Sequence, residues 1–119
     1  MDRLDALHAE IREFVRERDW DRYHDPKNLA MAVASEAGEL VAELRWVPSE
    51  DADAACREPE RRARIEAEVA DVAITLLMFC ERTGLDVAEA VHRKLAANRI
   101  KYPVERWRGR SEPDPHHRP

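Results

Sequence analysis

The amino-acid sequence predicts an all-α fold. Only three glycines and two phenylalanines occur in 119 residues, and β-branched runs are short, which argues against a sheet-rich protein. Apolar residues instead recur every three or four positions, the spacing that places them on one face of a helix. A charged content of 38% is typical of helices whose outer faces meet water. We therefore expect one compact helical domain over residues 1–105, followed by a flexible tail of residues 106–119.

The first two helices can be placed from their apolar spacing and their start signals. The first covers about residues 2–18, because its apolar residues fall on one face. A loop of aromatic and turn-forming residues follows it. Asp25 and Pro26 then mark the start of the second helix, since an aspartate caps free N–H groups and a proline at the first helical position loses no hydrogen bond. This helix is expected to end at about residue 45, before Pro48.

Two further helices are predicted in the second half of the chain. Residues 47–58 lack an apolar pattern, and we expect them to form a mobile loop. The third helix then covers about residues 59–82, and its second half is apolar around most of its circumference, which indicates burial by protein or by a second copy of the chain. Gly84 ends this helix, and Asp86 caps a fourth helix over about residues 86–101.

The charge and the composition argue against several classes of protein. A net charge of −5 is opposite in sign to the basic face of a nucleic-acid-binding protein. No apolar run is long enough to span a membrane, and the charged start, MDRLDALHAE, lacks the apolar core of a signal peptide. Cys56 and Cys80 form no C-x-x-C pair and are expected to be reduced thiols. These features predict a cytoplasmic protein without a nucleic-acid or membrane partner.

Acidic residues occupy the apolar sides of the second and third helices. Glu36 and Glu39 are three residues apart, as are Glu68 and Asp71, so the members of each pair are neighbours on one helix face. Ordinary surface helices keep their carboxylates away from the apolar stripe. If the two faces meet, four carboxylates converge in a partly desolvated place, where they resist ionisation unless a cation compensates their charge.

Divalent metal suits such a place better than a side-chain cation does. Mg²⁺ takes oxygen ligands, needs few carboxylates and keeps waters that phosphate oxygens can replace, and Mn²⁺ could take its place. The chemistry implied is a metal cluster that clamps a polyphosphate and activates water for attack on phosphorus. The competing interpretation is that Glu36 and Glu39 pair with arginines across a helix interface. Glu43 lies on the same side of the helix, but no third acid on the other helix matches it, so we expect it at the periphery.

Three stretches of the sequence resemble the MazG-like, all-α nucleoside triphosphate pyrophosphatases, and most closely the dCTP pyrophosphatase branch. They are RDWDRYHDPKNLAMAVASEAGELVAELRW, EVADVAITLLMFCERTGLDV and AVHRKLAANRIKYP, which together cover most of residues 17–103. The resemblance implies a four-to-five-helix bundle that intertwines as a homodimer or homotetramer. It also implies that catalysis and Mg²⁺ binding fall to Glu36, Glu39, Glu68 and Asp71. Water would then cleave between the α and β phosphates, giving a nucleoside monophosphate and pyrophosphate.

The resemblance also identifies residues that would surround the base and the sugar. Trp20, His24 and Trp46 match these positions, and the flat face of a tryptophan can stack on a base. Ordinary packing of an aromatic residue at a helix end is the alternative for each tryptophan. Thr75 departs from the pattern, because relatives that prefer dCTP often carry a tyrosine there. The base preference is therefore left open by the sequence.

A further set of residues matches the family's K-x-x-x-N-x-x-x-Y pattern on the fourth helix. The matching residues are Lys94, Asn98 and Tyr102, and the resemblance implies that they contact the phosphates or the surroundings of the metal. Lysine carries a compact charge that suits a phosphate group. A solvated charge is the better interpretation of the neighbouring Lys101.

We therefore expect a Mg²⁺-dependent hydrolase that acts on a (deoxy)nucleoside triphosphate, dCTP or a modified dCTP, and cleans the nucleotide pool. The alternative is a non-enzymatic helical module whose apolar third helix is a dimer interface. A ligand that binds only the folded state must stabilise it, so the module would show no stabilisation by divalent metal. A ferritin-like di-iron protein is a poor match, because it requires two E-x-x-H pairs and this chain has one, Glu89 to His92.

Overall fold

The computed structural model of the protein describes residues 2–111. Between these residues the chain forms six α-helices and two 3₁₀ turns, and no β-strand. The helices are α1 (Arg3–Glu17), α2 (Pro26–Leu44), α3 (Ala52–Arg57), α4 (Pro59–Thr83), α5 (Val87–Lys101) and α6 (Val104–Trp107). The all-α prediction is confirmed, with two short helices added to the four that the sequence indicates. None of the described helices is both long and apolar enough to cross a membrane.

The ends of the long helices follow from local chemistry. Asp25 accepts a hydrogen bond from the backbone N–H of Asn28 at 2.9 Å, and Pro26 is the first residue of α2. Asp86 caps α5 in the same way. Gly84 ends α4 with φ +71°, in the left-handed region that glycine adopts without a steric penalty. These boundaries are the ones that the sequence predicts.

The segment between α2 and α4 differs from the prediction. Instead of an open loop it contains a 3₁₀ turn, Ser49–Asp51, followed directly by α3. Ala55 of α3 is only 6% exposed, and α3 packs against α4. A helix this short is not stable alone, so contact with α4 decides its structure, and six residues span too few turns to show a helical apolar pattern. The prediction of a loop for residues 47–58 is therefore wrong.

The chain divides into two units, Met1–Leu85 and Asp86–Pro119. In the first unit α4 is the central helix, because it packs against α1, α2 and α3. The buried apolar residues of this unit come from all four helices, and they are Ile11, Val15, Leu29, Ala55, Leu77 and Cys80. This small core holds α2 beside α4 and thereby fixes the two faces on which the acids stand.

Several apolar side chains of α4 are exposed in the part of the chain that the structure describes. Leu77 is 7% exposed, whereas Val69, about two helical turns earlier on α4, is 51% exposed. Ile74 and Leu76 are also exposed. The sequence predicts a helix with protein on most sides, and within residues 2–85 the helices α1, α2 and α3 pack against α4 but leave several of its apolar side chains exposed.

The second unit consists of α5, α6 and the residues that follow them. Tyr102 and Trp107 meet edge to face, with their ring centroids 4.9 Å apart, so the end of α5 contacts the end of α6. The proposed boundary between residues 105 and 106 falls within α6. Residues 112–119, most of the predicted tail, lie outside the described residues.

Candidate active site

Three glutamates from two helices meet between α2 and α4. Glu36 and Glu39 lie three residues apart on α2, so both point from the same face toward Glu68 on α4. One carboxylate oxygen from each of the three lies within 4.8 Å of the others. The convergence that the sequence predicts for these residues is present in a single chain.

Asp71, the fourth predicted acid, stands beside this group. It lies one helical turn after Glu68 on α4 and is more exposed than Glu68. Its negative charge is close enough to raise the pKa of both Glu36 and Glu68. We refer to Glu36, Glu39, Glu68 and Asp71 together as the acid group.

Glu36 and Glu68 resist ionisation, because partial burial and neighbouring negative charges both disfavour their ionised forms. Partial burial is the main cause that raises the pKa of Glu36, and the charges of Glu39 and Asp71 add to it. Partial burial likewise raises the pKa of Glu68, followed by a hydrogen bond and the charge repulsion that Glu39 contributes. A cation bound between the helices would remove this penalty.

Residues 2–111 supply the acid group with no partner that could neutralise it. Glu36 Oε2 and Glu68 Oε2 are buried and have no hydrogen-bond partner among these residues. Within the described residues, no arginine, lysine or histidine forms an ion pair with any of the four acids. The competing interpretation, in which arginines hold Glu36 and Glu39, therefore has no support here. Oxygen-only ligands with unmet partners are the donor set that Mg²⁺ or Mn²⁺ accepts.

Glu43, the third acid on this side of α2, has a different environment. The Arg64 Nε of α4 donates to both of its carboxylate oxygens, at 3.2 and 3.1 Å. Glu43 is thus neutralised by a guanidinium and lies outside the acid group, at the periphery that the sequence suggests for it.

A cavity of about 190 Å³ opens at the other end of the α2–α4 contact. Nine residues from α1, α2, α4 and the turn before α2 line it, among them His24, Leu29, Met78 and Glu81. Leu29 and Glu36 are seven positions apart on α2, and Asp71 and Met78 are seven positions apart on α4. At the rise of an α-helix this places the cavity about 10 Å along the helices from the acid group.

An ion-pair network stands at the wall of this cavity, and sequence reasoning missed it. Arg12 donates from Nε and Nη2 to the two oxygens of Glu81, at 3.0 and 2.9 Å, and His8 Nδ1 lies 2.9 Å from Glu81 Oε1. The hydrogen bond from Arg12 is the main cause that lowers the pKa of Glu81. Glu81 therefore stays ionised and can accept further hydrogen bonds. Arg12 and Glu81 are 69 residues apart in the chain, so no local pattern marks them as partners.

The three predicted base-binding residues are not brought together in one chain. The rings of Trp20 and His24 meet edge to face at 6.4 Å between centroids, and His24 lines the cavity. Trp46 follows the other end of α2 and is 84% exposed, with the Arg45 guanidinium 5.3 Å from its ring. The 19 residues of α2 separate the two places by about 28 Å. One nucleotide cannot contact both ends of this helix within a single chain.

The remaining predicted residues occupy separate environments. Thr75 lies on α4 and donates its hydroxyl hydrogen bond to the backbone carbonyls of Asp71 and Val72, at 3.0 and 3.1 Å. Lys94, Asn98 and Tyr102 follow one another at four-residue steps along α5 and its end, in the second unit. Their contact with the phosphates stays a prediction.

Comparison with curated proteins identifies relatives of one kind. The chain is 39% identical over 103 residues to dCTP pyrophosphatase 1 of Bos taurus, a match that covers 87% of this chain and 59% of the relative. It is 36% identical over 105 residues to dCTP pyrophosphatase 1 of Homo sapiens, covering 88% of this chain and 60% of the relative. The chain thus spans about three fifths of the length of these relatives. No protein-family model matches it.

Comparison with solved structures extends this likeness to the fold. A pyrophosphatase from Archaeoglobus fulgidus superposes with a TM-score of 0.81 at 36% sequence identity, over 87% of this chain and 94% of that one. Identity of this size over nearly a whole solved chain indicates common descent as well as a shared fold. The chain therefore belongs to the MazG-like, all-α pyrophosphatases, on the branch that includes the dCTP pyrophosphatases.

Proposed function

We propose that this chain hydrolyses a nucleoside triphosphate between the α and β phosphates and releases a nucleoside monophosphate and pyrophosphate. The observation that carries the proposal is the acid group, whose two buried oxygens have no partner and whose charge no described side chain balances. Such a group needs cations once it ionises, and a triphosphate is a ligand that binds through cations. The relatives' names, dCTP pyrophosphatase 1 and pyrophosphatase, favour the same reaction.

Mg²⁺, or Mn²⁺ in its place, is the metal that fits these residues. When bound, it would neutralise phosphate charge and activate the attacking water. The chain's own task is to hold the ligand oxygens of Glu36, Glu39, Glu68 and Asp71 at fixed positions on two packed helices. Glu36 Oε2 and Glu68 Oε2 are each available either to hold an ion or to accept the proton of the water, because neither has a hydrogen-bond partner in the described part of the chain.

The substrate that we propose is dCTP or a modified dCTP. The cavity beside His24 lies at a distance along α2 and α4 that a nucleoside can bridge when its phosphates are at the acid group. Glu81 at its wall is a fixed, ionised acceptor, which suits the exocyclic amino group of a cytosine. Thr75 leaves room where a tyrosine would pack, and its hydroxyl is already engaged with the backbone of α4.

Positive charge for the phosphates would come from the second unit. Lys94, Asn98 and Tyr102 share one side of α5 through their four-residue spacing. A lysine ammonium group suits a phosphate as a point charge, and the amide and hydroxyl groups of the other two can donate hydrogen bonds. We assign these three residues to the phosphates or to the surroundings of the metal.

We further propose that the enzyme works as a homodimer or homotetramer in which Trp46 reaches the nucleotide bound by another copy. Trp46 is far from the His24 cavity of its own chain and almost fully exposed. Stacking on a base is worth about 1–3 kcal/mol, which is a reason for a protein to present a tryptophan in this way. The exposed apolar residues of α4 would be covered by the same assembly.

The cellular role that follows is removal of unwanted triphosphates from the cytoplasmic nucleotide pool. The experiment that tests the proposal measures pyrophosphate released from a panel of canonical and modified dNTPs, with Mg²⁺ and with EDTA. We expect release of pyrophosphate in the presence of Mg²⁺ and none in the presence of EDTA. Release of orthophosphate would exclude α–β cleavage, and absence of both turnover and thermal stabilisation by Mg²⁺ would favour the non-enzymatic helical module.

A further inference from the structure

The acids of α2 and the residues of α4 face one another in a regular series. Across the two helices, Glu36 lies near Asp71 and Glu68, and Glu39 lies near Glu68. Each step up α2 is matched by an equal step down α4, as expected of two packed antiparallel helices. The next step brings Glu43 opposite Arg64, whose Nε contacts both carboxylate oxygens. The series thus ends in an ion pair at the position where a third pair of acids would otherwise stand.

The ion pair of Glu43 and Arg64 attracts α2 to α4, whereas the neighbouring acid group repels the two helices. The acid group pushes α2 and α4 apart when it ionises, because none of its charge is balanced within the described residues. Glu43 is four positions from Glu39, and Arg64 is four positions from Glu68, which is about one helical turn in each case. The guanidinium is therefore held one turn away from the acids and directed at Glu43.

The contribution of this pair to global stability should be small. The side chains of Glu43 and Arg64 are 20% and 53% exposed, and ion pairs at such positions are weakened by water. The pair nevertheless joins α2 directly to α4, about one helical turn from the acid group. Metal sites depend on neighbouring groups that hold their ligands in place.

We propose that Arg64, held by Glu43, is a positioning residue that keeps α2 and α4 at the separation the acid group needs to bind divalent metal. The inference rests on the proposed function, since it assumes that the acid group binds metal. Positioning and a purely electrostatic effect predict opposite changes in metal affinity when Arg64 loses its charge. A cation near a metal site repels the metal, so charge alone predicts tighter metal binding when Arg64 is neutralised. Positioning predicts weaker binding.

The test measures binding of Mn²⁺ and Mg²⁺ to the substrate-free protein by isothermal titration calorimetry. Arg64→Gln is expected to weaken Mn²⁺ binding by about threefold to tenfold, less than the loss usual for direct neighbours of metal ligands. Arg62→Gln is the matched control, because it removes the same charge from an exposed position on the same helix. It is expected to leave the affinity unchanged or to tighten it.

The double variant Glu43→Gln/Arg64→Gln separates the two explanations without any change in net charge. Loss of positioning predicts affinity as weak as in Arg64→Gln, because either substitution alone removes the pair. If the two charges act independently, the metal affinity should be close to that of the wild type, because the effects of losing one negative and one positive charge cancel. Wild-type affinity in the double variant, or unchanged or tighter binding in Arg64→Gln, overturns the proposal. If the wild-type protein itself binds neither metal, the proposed function fails instead.

Discussion

A carboxylate oxygen of Glu39 on α2 and one of Glu68 on α4 lie within 4.8 Å of each other. The partly buried Glu68 has a raised pKa, in part because of the charge of Glu39. Once Glu68 ionises, its charge faces that of Glu39, and a cation between them would offset the repulsion. Protons and divalent metal therefore compete for one set of atoms in the acid group.

This competition predicts opposite pH dependences with and without metal. The folded state raises the pKa of Glu36 and Glu68 above the ordinary 4.5, so it binds protons more tightly than the unfolded chain does. The free energy of unfolding of the metal-free protein should therefore be greatest below this value and should fall as pH rises through the raised pKa values. Added Mg²⁺ should stabilise increasingly over the same interval, because it binds the ionised form.

Thermal unfolding in EDTA and in Mg²⁺, between about pH 4 and about pH 8, measures both trends. Glu68→Gln is the control variant, since its neutral amide should flatten the metal-free trend and abolish most of the response to Mg²⁺. The lowered pKa of Glu81 affects a more acidic pH interval, because its contribution to the free energy of unfolding is lost only as pH falls below the ordinary pKa of 4.5. Metal-free stability that rises through the interval above pH 4.5 would contradict the prediction.

Glu39→Gln and Asp71→Asn should each abolish turnover without unfolding the protein. Each substitution removes one anionic ligand and keeps the size of the side chain, so we expect a loss of at least about 100-fold in kcat/KM. Circular dichroism should show unchanged helical content. Glu66→Gln, at an exposed position on α4, is the control and should keep wild-type activity. Retained turnover in both site variants would remove these acids from the mechanism.

The features that the sequence reveals are those with a local signature. Asp25 and Pro26 start α2, and the three-residue spacing of Glu36 and Glu39 places both on one face, whatever the rest of the chain does. The facing acids of α4 could be anticipated for the same reason. Arg64 could not be paired with Glu43 from the sequence, because that contact depends on the relative register of two helices.

The length of α2 explains a second limit of sequence reading. Trp20 and Trp46 both resemble base-binding residues, and nothing in the linear pattern separates their roles. The 19-residue helix α2 between them shows that Trp20 lies before its N-terminus and Trp46 after its C-terminus, at opposite ends of the helix. The network of Arg12 and Glu81 was missed for a related reason, since α1 and α4 become neighbours only in the folded chain.

Glu81 should contribute to the choice of base. Its ionised carboxylate, fixed by Arg12, can accept a hydrogen bond from an amino group but offers only repulsion to a carbonyl oxygen at the same place. Glu81→Ala should lower the ratio of kcat/KM for dCTP to kcat/KM for dTTP by about tenfold, mainly because kcat/KM for dCTP falls. Glu13→Ala, at an exposed position on α1, is the control. An unchanged ratio would place the base outside this cavity.

Trp46 and Asp71 should complement each other between copies of the chain. In a shared site the acids come from one copy and the tryptophan from the other. Trp46→Ala and Asp71→Asn should then each be inactive alone, because every site in either pure assembly lacks one required residue. Mixed assemblies contain some sites in which the acids of a Trp46→Ala chain meet the intact tryptophan of an Asp71→Asn chain.

Unfolding the two variants together in equal amounts and refolding them measures this directly. Random pairing makes half of the pairs mixed, and each mixed pair holds one intact site of two, so about a quarter of the wild-type activity should return. Each variant refolded alone is the control and should stay inactive. A site built within one chain cannot be restored in this way, because the Asp71→Asn chain lacks its acid and the Trp46→Ala chain lacks its ring. Mixtures that remain as inactive as their components would therefore place Trp46 outside the neighbouring copy's site and leave its exposed ring to some other contact.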